Sequence, residues 1–409
     1  LTVPEIQKLD ADLLAVLFAQ CAHVVGATCN EDRRTLEDKG FKEFGLVVVD
    51  EVSKATPLEL LMPLSLADRA VLVGDHRQLP PFFREKDGSV EELFQRNEEE
   101  GGNDTLLTRE NFERFKALVT ASRFKDLFEN SPNGNRSSLL TQYRMHPDIM
   151  AVVNRFYQDL LKSGLDDPDG QRSGSDPRSH RKHGLTLAGP HQLPYLRPDN
   201  HVVWIDSSRY PDGKPAYEEQ AGTSKVNRLE VDLIVEILEH MEEHYARQGL
   251  GTSTKEKQVA VISFYGKQVK ALRDAIRHRT SSSGAFRSIA VDVNTVDRFQ
   301  GRERPIVIVS LVRNPKRGTT SSKAFVAQFE RINVAFSRAQ ELLVIVGAEQ
   351  QFRDYNVTLP HMSGGGSSER LVYREILTRL DSTGRVVPSG AVTSRTQRTL
   401  SRCHMSNRR

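Results

Sequence analysis

The sequence predicts an α/β protein built on two parallel sheets, and three observations support that fold class. Apolar runs rich in β-branched residues, such as 46–49 and 70–73, end abruptly on polar residues. These runs lack the alternation of a sheet with one solvated face, and helical patterns separate them, which is typical of parallel strands covered on both faces. The length of 409 residues exceeds what one core usually serves, so two domains are expected.

The first domain is predicted over residues 1–134. A helix that leads into a short buried strand is expected at 12–25, ahead of the two apolar runs. Residues 85–118, rich in Glu, Arg, Asn and Gly, are predicted to form an exposed helical excursion. Turn residues crowd the stretch 131–137, which predicts the domain boundary.

The second domain is predicted over residues 135–355, and a C-terminal extension over 356–409. Residues 161–200 have little apolar periodicity and are predicted to form a long, partly disordered loop. From residue 382 onward the chain contains six arginines and no acidic residue, which predicts a disordered basic tail. An amphipathic helix is expected at 225–246, and strands are expected at 201–206, 258–263, 305–311 and 342–347.

Composition excludes several classes of protein. The 57 basic and 54 acidic residues leave a formal charge of +3, which excludes a uniformly basic surface but permits a local basic groove. Cys21, Cys29 and Cys403 show no CxxC spacing, so neither a disulfide framework nor a four-ligand zinc site is expected. This cysteine usage predicts an intracellular protein, cytoplasmic or, in a eukaryote, nuclear, and since no leader pattern or long apolar run occurs, no membrane span is expected.

Two carboxylates directly follow the first apolar run. In the sequence LVVVDE, Asp50 and Glu51 lie at the carboxyl end of a predicted strand, where open α/β sheets bind ligands. This is the pattern of a Walker B element, in which Asp50 would hold Mg²⁺ and Glu51 would polarise the water that attacks the γ-phosphate of ATP. The same residues equally fit a strand whose end caps the next helix.

The next predicted strand ends in a similar way, in the sequence VGDHRQLPP at 73–81. The amide of Gln78 can hydrogen-bond a γ-phosphate oxygen or the attacking water without adding charge. Alternatively, the segment only shapes a turn, which explains Pro80 and Pro81 better than it explains Gln78.

Two segments of the second domain carry candidate nucleotide contacts. In TQYRMHPD, Tyr143 can stack on an adenine and Arg144 can reach the γ-phosphate. In NTVDRFQGRE, Gly301 allows a phosphate to approach the backbone, and Glu303 can accept a ribose hydrogen bond or help to position the metal. The alternative for the first segment is a half-buried Tyr beside a solvated Arg, and the alternative for the second is an ordinary loop glycine.

A third segment, RINVAFSRA at 331–339, is helical in composition. A helix would place Arg331 and Arg338 two turns apart on nearly the same face, from which either can project across a cleft. Arg338 is the candidate arginine finger. Surface arginines on an exposed helix are the alternative.

Together these segments resemble motifs II to VI of superfamily 1 helicases, in particular the 5′-to-3′ branch that includes the nonsense-mediated-decay RNA helicase and related DNA helicases. DEVSKAT resembles motif II, GDHRQLPP motif III, QYRMHP motif IV, TVDRFQGRE motif V and RINVAFSRA motif VI. VVGATC at 24–29 resembles the element in which a Thr, here Thr28, contacts the nucleic-acid backbone. The similarity covers residues 18–350.

The resemblance implies two RecA-like domains with ATP and Mg²⁺ between them and a single strand of RNA or DNA across their top. Hydrolysis would then move the second domain along the strand, so an ATP-dependent helicase or translocase is expected, with nucleic acid and other proteins as its partners. The resemblance places Asp50, Glu51 and Gln78 on the first domain, and Arg144, Gly301, Glu303 and Arg338 on the second.

No GxxxxGK(S/T) pattern occurs in the 409 residues, so motif I of the family is absent from the sequence. The first domain is therefore expected to be truncated at its N-terminus, and the chain is expected to be a C-terminal part that alone hydrolyses ATP poorly. The alternative is a catalytically inactive helicase fragment that acts as a nucleic-acid- or protein-binding module. The enzyme is favoured by the retention of Asp50, Glu51, Gln78, Arg144 and Arg338.

Overall fold

The polypeptide divides into two units, Leu1–Ser137 and Ser138–Arg409. The excursion predicted at 85–118 lies outside the described residues except for 110–111 and 114–115. No helix in the described part of the chain is long and apolar enough to cross a membrane. The computed structural model describes residues 13–15, 17–19, 21–81, 110–111, 114–115, 122–250, 255–316, 325–361 and 366–395.

The first unit contains a two-stranded parallel sheet made of β1 (Val47–Val49) and β2 (Ala70–Leu72). A 3-10 helix at Val52–Lys54 follows β1. The described residues of this unit include the helices α1 (Arg33–Asp38), α2 (Pro57–Leu64) and α3 (Phe124–Asn130). A small apolar core joins the sheet to the helices through Val49, Val52, Ala55, Leu60 and Phe124.

The start of α2 follows from its sequence. Pro57 occupies the first turn, where its missing N–H costs nothing. The Thr56 hydroxyl accepts a hydrogen bond from the Glu59 N–H at 3.3 Å, and the Glu59 carboxylate accepts one from the Thr56 N–H at 2.8 Å. This reciprocal capping box satisfies two backbone donors that have no partner inside the helix.

The prediction of a short buried strand ahead of Gly26 is wrong. Residues 13–15, 17–19 and 21 are helical, as expected, but residues 22–25 form no strand and Val24 is 89% exposed. A strand needs a neighbour for its backbone hydrogen bonds, and the described sheet of this unit consists of β1 and β2 alone.

The second unit contains more and longer elements. Its strands are β3 (Thr141–Gln142), β4 (Lys162–Ser163), β5 (Leu187–Ala188), β6 (Pro194–Leu196), β7 (Val202–Asp206), β8 (Glu219–Ala221), β9 (Ser224–Val226), β10 (Lys257–Ser263), β11 (Ile289–Thr295), β12 (Arg304–Ser310), β13 (Ala339–Gly347), β14 (Val357–Pro360), β15 (Ser367–Arg370) and β16 (Val386–Pro388). Its helices are α4 (Pro147–Val153), α5 (Arg228–Arg247), α6 (Gly266–Ser283), α7 (Val296–Phe299), α8 (Phe329–Phe336), α9 (Glu349–Arg353), α10 (Val372–Asp381) and α11 (Ser389–Val392).

Six of these strands form one sheet in the order β11-β10-β12-β13-β7-β16, and every neighbouring pair is parallel. One face packs against α5, whose buried Leu229 and Leu233 join the strand residues in a single core. On the other face, Trp204 packs edge-on against Phe352 and Tyr373, with ring centroids 5.9 and 6.3 Å apart. Coverage on both faces explains the continuous apolar runs of this sheet, and the predicted α/β class with parallel sheets is confirmed. The expected coverage of β1 and β2 on both faces is not observed in the described part of the chain, since Val48 and Val71 are 59% and 46% exposed.

The segment 161–200 is irregular, as predicted, but the expectation of partial disorder is wrong. Its strands β5 and β6 form an antiparallel pair. Four of its apolar side chains join the core beside α5, namely Leu185, Leu187, Tyr195 and Leu196. Because the spacing of these four residues is irregular, the sequence contains no periodic pattern that predicts their burial.

The prediction of a disordered tail from residue 382 is wrong for residues 382–395. Here β16 pairs in parallel with β7, with Val386 opposite Trp204, and α11 follows directly. The short apolar pair Val386-Val387 is enough to add an edge strand, although arginines surround it in the sequence. Residues 396–409 lie outside the described residues.

Candidate functional site

In the first unit, the predicted carboxylates lie at the carboxyl edge of the sheet. Asp50 and Glu51 follow β1, and the segment containing Gln78 follows β2. Because the strands are parallel neighbours, with Val49 opposite Leu72, their ends meet at the same edge. The Asp50 side chain is exposed there and offers carboxylate oxygens, the ligands that Mg²⁺ prefers, so the residue fits a metal site.

Glu51 has a left-handed backbone conformation, with φ 53° and ψ 33°. Its N–H donates to Oδ1 of Asp50 at 2.8 Å, and its carboxylate lies 3.4 Å from the ammonium of Lys54. The side chains of this ion pair are 42% and 34% exposed, so solvent screens their attraction. Left-handed backbone at a non-glycine residue often marks a functional position.

The segment after β2 packs closely on the segment after β1. A Cβ at Gly74 would lie 2.8 Å from Cγ1 of Val52, so no larger residue fits there without displacing that turn. The Gln78 side-chain amide donates to Oδ2 of Asp75 at 3.1 Å, and Oδ1 of Asp75 accepts from the Arg77 N–H at 2.9 Å. Asp75 therefore orients the half-buried amide of Gln78.

Thr28, the predicted strand contact, is exposed in the first unit. Its carbonyl accepts a hydrogen bond from the Glu31 N–H at 3.0 Å, which closes a turn ahead of α1. Its proposed contact with nucleic acid stays a prediction.

In the second unit, residues from three predicted motifs meet around Arg144. Its Nε lies 2.6 Å from Oε1 of Glu303, an ion pair whose angle falls outside hydrogen-bond geometry, and its Nη1 donates to the Ser337 carbonyl at 3.4 Å. Oε2 of Glu303 accepts from the Gln340 amide at 2.9 Å. Arg144 and Glu303 are each about one-third exposed, so a ligand can reach the pair. Gly301 lies two residues before Glu303 and has a φ of 78°, which favours glycine.

Arg338 lies beside this group but is only 2% exposed. Its guanidinium donates to the Val334 carbonyl at 3.1 Å, to the Ser337 hydroxyl at 3.0 Å and to the Arg302 carbonyl at 3.4 Å. A phosphate contact would therefore require Arg338 to exchange main-chain partners.

The prediction that Arg331 and Arg338 lie on one helix is wrong. The helix α8 ends at Phe336, and Ser337 is its C-cap, so Arg338 lies beyond the last turn. Arg331 lies on α8, pairs with Asp297 at 3.1 Å and stacks on the ring of Phe325 at 4.6 Å. Its guanidinium fixes α8 against neighbouring segments of the same unit.

Tyr143 is 64% exposed, which suits a stacking platform. On one side it lies against Gly164, where a Cβ would overlap its ring atoms. From the segment 161–200, Arg181 donates to the carbonyl oxygens of Tyr143 and Arg144. Neither Gly164 nor Arg181 gives a sequence signal, because each acts through a contact with a distant part of the chain.

A buried carboxylate holds the carboxyl end of β12. Glu230 is fully buried and accepts hydrogen bonds from the Val312 N–H at 2.9 and 3.0 Å and from the Ser310 hydroxyl at 2.6 Å. Burial raises the pKa of Glu230 to about 7. Val312 has a φ of 70°, a strained value for a β-branched residue, which these bonds help to maintain.

One group of the described residues has metal-ligand composition: His146, Asp169 and His201. The Nε2 atoms of the two histidines lie 3.3 and 3.7 Å from Oδ1 of Asp169. The His146 Nδ1 accepts from the Asp148 N–H, so its Nε2 carries the proton of the neutral ring. The two rings stack at 3.4 Å with an angle of 12°, and parallel rings cannot aim both lone pairs at one ion. These residues therefore form a polar cluster, joined by the hydrogen bond between His146 and Asp169, rather than a metal centre.

Comparison with known proteins agrees with these motifs. Human DNA replication ATP-dependent helicase/nuclease DNA2 is 28% identical over 343 residues, which cover 81% of this chain and 27% of that protein. The probable helicase MAGATAMA 3 of Arabidopsis thaliana is 28% identical over 83% of this chain and 34% of its own length. The chain thus spans about a quarter to a third of these relatives. A solved structure of the PRRSV helicase overlaps 88% of this chain and 49% of that chain at 13% identity, with a TM-score of 0.29.

Two family models described as AAA domains match residues 5–86 and 119–350. The second match alone covers more than half of the 409 residues and contains the segments that carry Arg144, Glu303 and Arg338. The chain therefore belongs to the AAA-domain family of superfamily 1 helicases.

Proposed function

We propose that this chain is the nucleotide-sensing part of an ATP-dependent helicase or translocase that moves along a single strand of RNA or DNA inside the cell. The observation that carries the proposal is the convergence of Arg144, Glu303 and the Ser337 carbonyl in the second unit. A guanidinium held by one carboxylate and still one-third exposed is suited to exchange partners with a phosphate.

In the first unit, each candidate side chain has one task in phosphoryl transfer. Asp50 would hold Mg²⁺, which when bound neutralises charge on the phosphates. Glu51 would orient the attacking water, and Gln78 would hydrogen-bond the γ-phosphate through the amide that Asp75 orients.

In the second unit, Arg144 would contact the γ-phosphate and leave Glu303 when ATP binds. Arg338 would add a second positive charge, after the exchange of its main-chain partners. Tyr143 would stack on the base, while Gly301 would let the ribose or phosphates approach the backbone. Arg331 would act indirectly, since its ion pair with Asp297 fixes α8.

Contacts with the strand, including the one proposed for Thr28, would be made to phosphates and stacked bases. Such binding is tolerant of sequence and weakens with salt. The two curated relatives are named as helicases, one of them in DNA replication, which supports a nucleic-acid substrate for this chain as well. Other proteins would be further partners of the motor.

The effect of nucleotide binding on the affinity of the chain for a single strand tests this function. Fluorescence anisotropy of a labelled single-stranded oligonucleotide would be measured with the 409-residue chain, with and without Mg²⁺ and a non-hydrolysable ATP analogue. We expect the analogue to change the strand affinity of the wild type and of Glu51→Gln, since Glu51 acts only in hydrolysis. Arg144→Gln should bind the strand but lose the effect of the analogue. Strand binding that no nucleotide alters in the wild type would contradict the proposal.

That contrary result would support a second candidate, a catalytically inactive module that binds nucleic acid or protein. The absence of a GxxxxGK(S/T) pattern from the 409 residues favours this candidate, since the P-loop is the main phosphate cradle of the family. Competition between RNA and DNA strands of matched sequence, in the same assay, identifies the preferred nucleic acid.

A further inference from the structure

We propose that Arg181 and Gly164, from the irregular segment 161–200, are positioning residues that set the side chains of Tyr143 and Arg144 for nucleotide binding. The inference rests on the proposed function and deepens it, because it names residues outside the five helicase motifs. Neither residue would contact the nucleotide itself.

The guanidinium of Arg181 donates hydrogen bonds to four main-chain carbonyls. Its Nε donates to the Arg144 carbonyl and its Nη2 to the Tyr143 carbonyl at 2.5 Å. Its Nη1 donates to the carbonyls of Arg178 and His180 at 2.7 and 2.8 Å. One planar fork thus ties two consecutive residues of the motif to the segment that follows. The compact ammonium of a lysine lacks the fork that spans two adjacent carbonyls.

Gly164 approaches the same motif from the other side. The strands β3 and β4 pair in parallel, and the N–H groups of Lys162 and Gly164 donate to the carbonyls of Leu140 and Gln142, both at 2.8 Å. This pairing places the Gly164 Cα against the ring of Tyr143, where any Cβ would overlap the ring. A larger residue at position 164 must therefore push the ring away.

Residues on both sides of the motif thus restrict its backbone and its aromatic side chain before any ligand binds. Tyr143 is 64% exposed, so few other contacts hold its ring. A side chain already held in its bound orientation loses less conformational entropy on binding, which raises affinity. The two residues should have different effects, because Arg181 holds the backbone of both motif residues and Gly164 affects only the ring.

The test uses the full 409-residue chain with a fluorescent ATP analogue, displaced by ATP or by inorganic triphosphate. The variants are Arg181→Met, Arg181→Lys and Gly164→Ala. Arg172→Met serves as the matched control, since Arg172 lies in the same segment and pairs with Asp166 at 2.6 Å on the surface. Thermal unfolding of each variant shows whether it is folded.

Arg181→Met should weaken ATP and triphosphate alike by about tenfold, the equivalent of one charged hydrogen bond. Arg181→Lys should weaken both to a similar extent, because the charge remains but the fork is lost. Gly164→Ala should weaken ATP by about tenfold, as expected for lost stacking on a base, and leave triphosphate unchanged. The control should bind both ligands like the wild type.

Wild-type affinities in both Arg181 variants, or an equal loss of ATP and triphosphate affinity in Gly164→Ala, would overturn the inference. If Arg181→Met does not fold, Arg181→Lys and Gly164→Ala still decide between these outcomes. A wild-type chain that binds neither ligand would instead overturn the proposed function itself, and the inference with it.

Discussion

Glu51 is predicted to orient water and also has a backbone conformation that disfavours its side chain. A left-handed conformation costs an L-residue about 1–2 kcal/mol. The letters LVVVDE predict the place of Glu51 at a sheet edge, because apolar runs locate strand ends. They contain no signal for its φ of 53°, which depends on the turn into the following 3-10 helix.

Glu51→Gly should stabilise the first unit. Glycine adopts positive φ without strain, and this gain of about 1–2 kcal/mol exceeds the backbone entropy cost of about 0.5–1 kcal/mol. Protection from amide exchange in peptides that cover β1 and β2 measures the change. The matched control Glu37→Gly, in the helix α1, should destabilise by about 1 kcal/mol. Destabilisation by both variants would contradict the argument from strain.

Buried histidines predict acid sensitivity of the second unit. Burial lowers the pKa of His183 from 6.5 to about 3 and also lowers the pKa of His146 and His201. These histidines therefore bind more protons in the unfolded chain than in the folded one below pH 6.5, so their contribution to stability falls as the pH falls from there toward 3. Burial raises the pKa of Glu230 and Asp232 to about 7, so the folded chain holds their protons more tightly than the unfolded chain. The contribution of these two carboxyl groups to stability therefore falls as the pH rises toward 7.

His183→Gln should reduce the loss of unfolding free energy between about pH 6.5 and 5 by about 2 kcal/mol, since one pKa unit corresponds to about 1.4 kcal/mol. Urea unfolding followed by Trp204 fluorescence reports the result for this unit, because Trp204 is the single Trp of the chain and is fully buried. The carboxyl groups are the same in both proteins and cancel. An unchanged pH dependence would show that His183 titrates normally in the folded state.

Individual elements differ in how far their sequence determines them. The ends of β1, β2 and β12 follow from apolar runs that stop on polar residues, so the sheet edges could be predicted. The end of α8 could not, because helical composition continues through Arg338 while the helix ends at Phe336. The contact between the segment 161–200 and Arg144 could not be predicted either, since Arg181 lies 37 positions from Arg144 and no periodic pattern relates the two residues.

The capping box of α2 gives a prediction at this scale. Thr56→Ala should destabilise the first unit by about 1 kcal/mol, because the Glu59 N–H loses its acceptor at the helix start. Thr56→Ser retains a hydroxyl and should cost much less. Amide exchange across β1 and β2 distinguishes the two variants, and equal protection in both would show that the cap contributes little.

For the molecule as a whole, the family assignment and the missing P-loop pattern predict a chain that contacts nucleotide but turns it over poorly. Malachite-green assays of the 409-residue chain with single-stranded oligonucleotide should detect little phosphate release, because the P-loop amides and lysine that cradle the β- and γ-phosphates have no counterpart in its sequence. Strand-stimulated release that Glu51→Gln abolishes would contradict this expectation.

The central claim is that Arg144, held by Glu303 in the absence of ligand, recognises the γ-phosphate. Titration calorimetry of ATP and ADP with Mg²⁺ onto the wild type, Arg144→Gln and the surface control Arg155→Gln tests it most directly. We predict that the wild type and the control prefer ATP over ADP by about tenfold, and that Arg144→Gln loses most of this preference while its ADP affinity is retained. An Arg144→Gln variant that keeps the wild-type preference for ATP would contradict the claim.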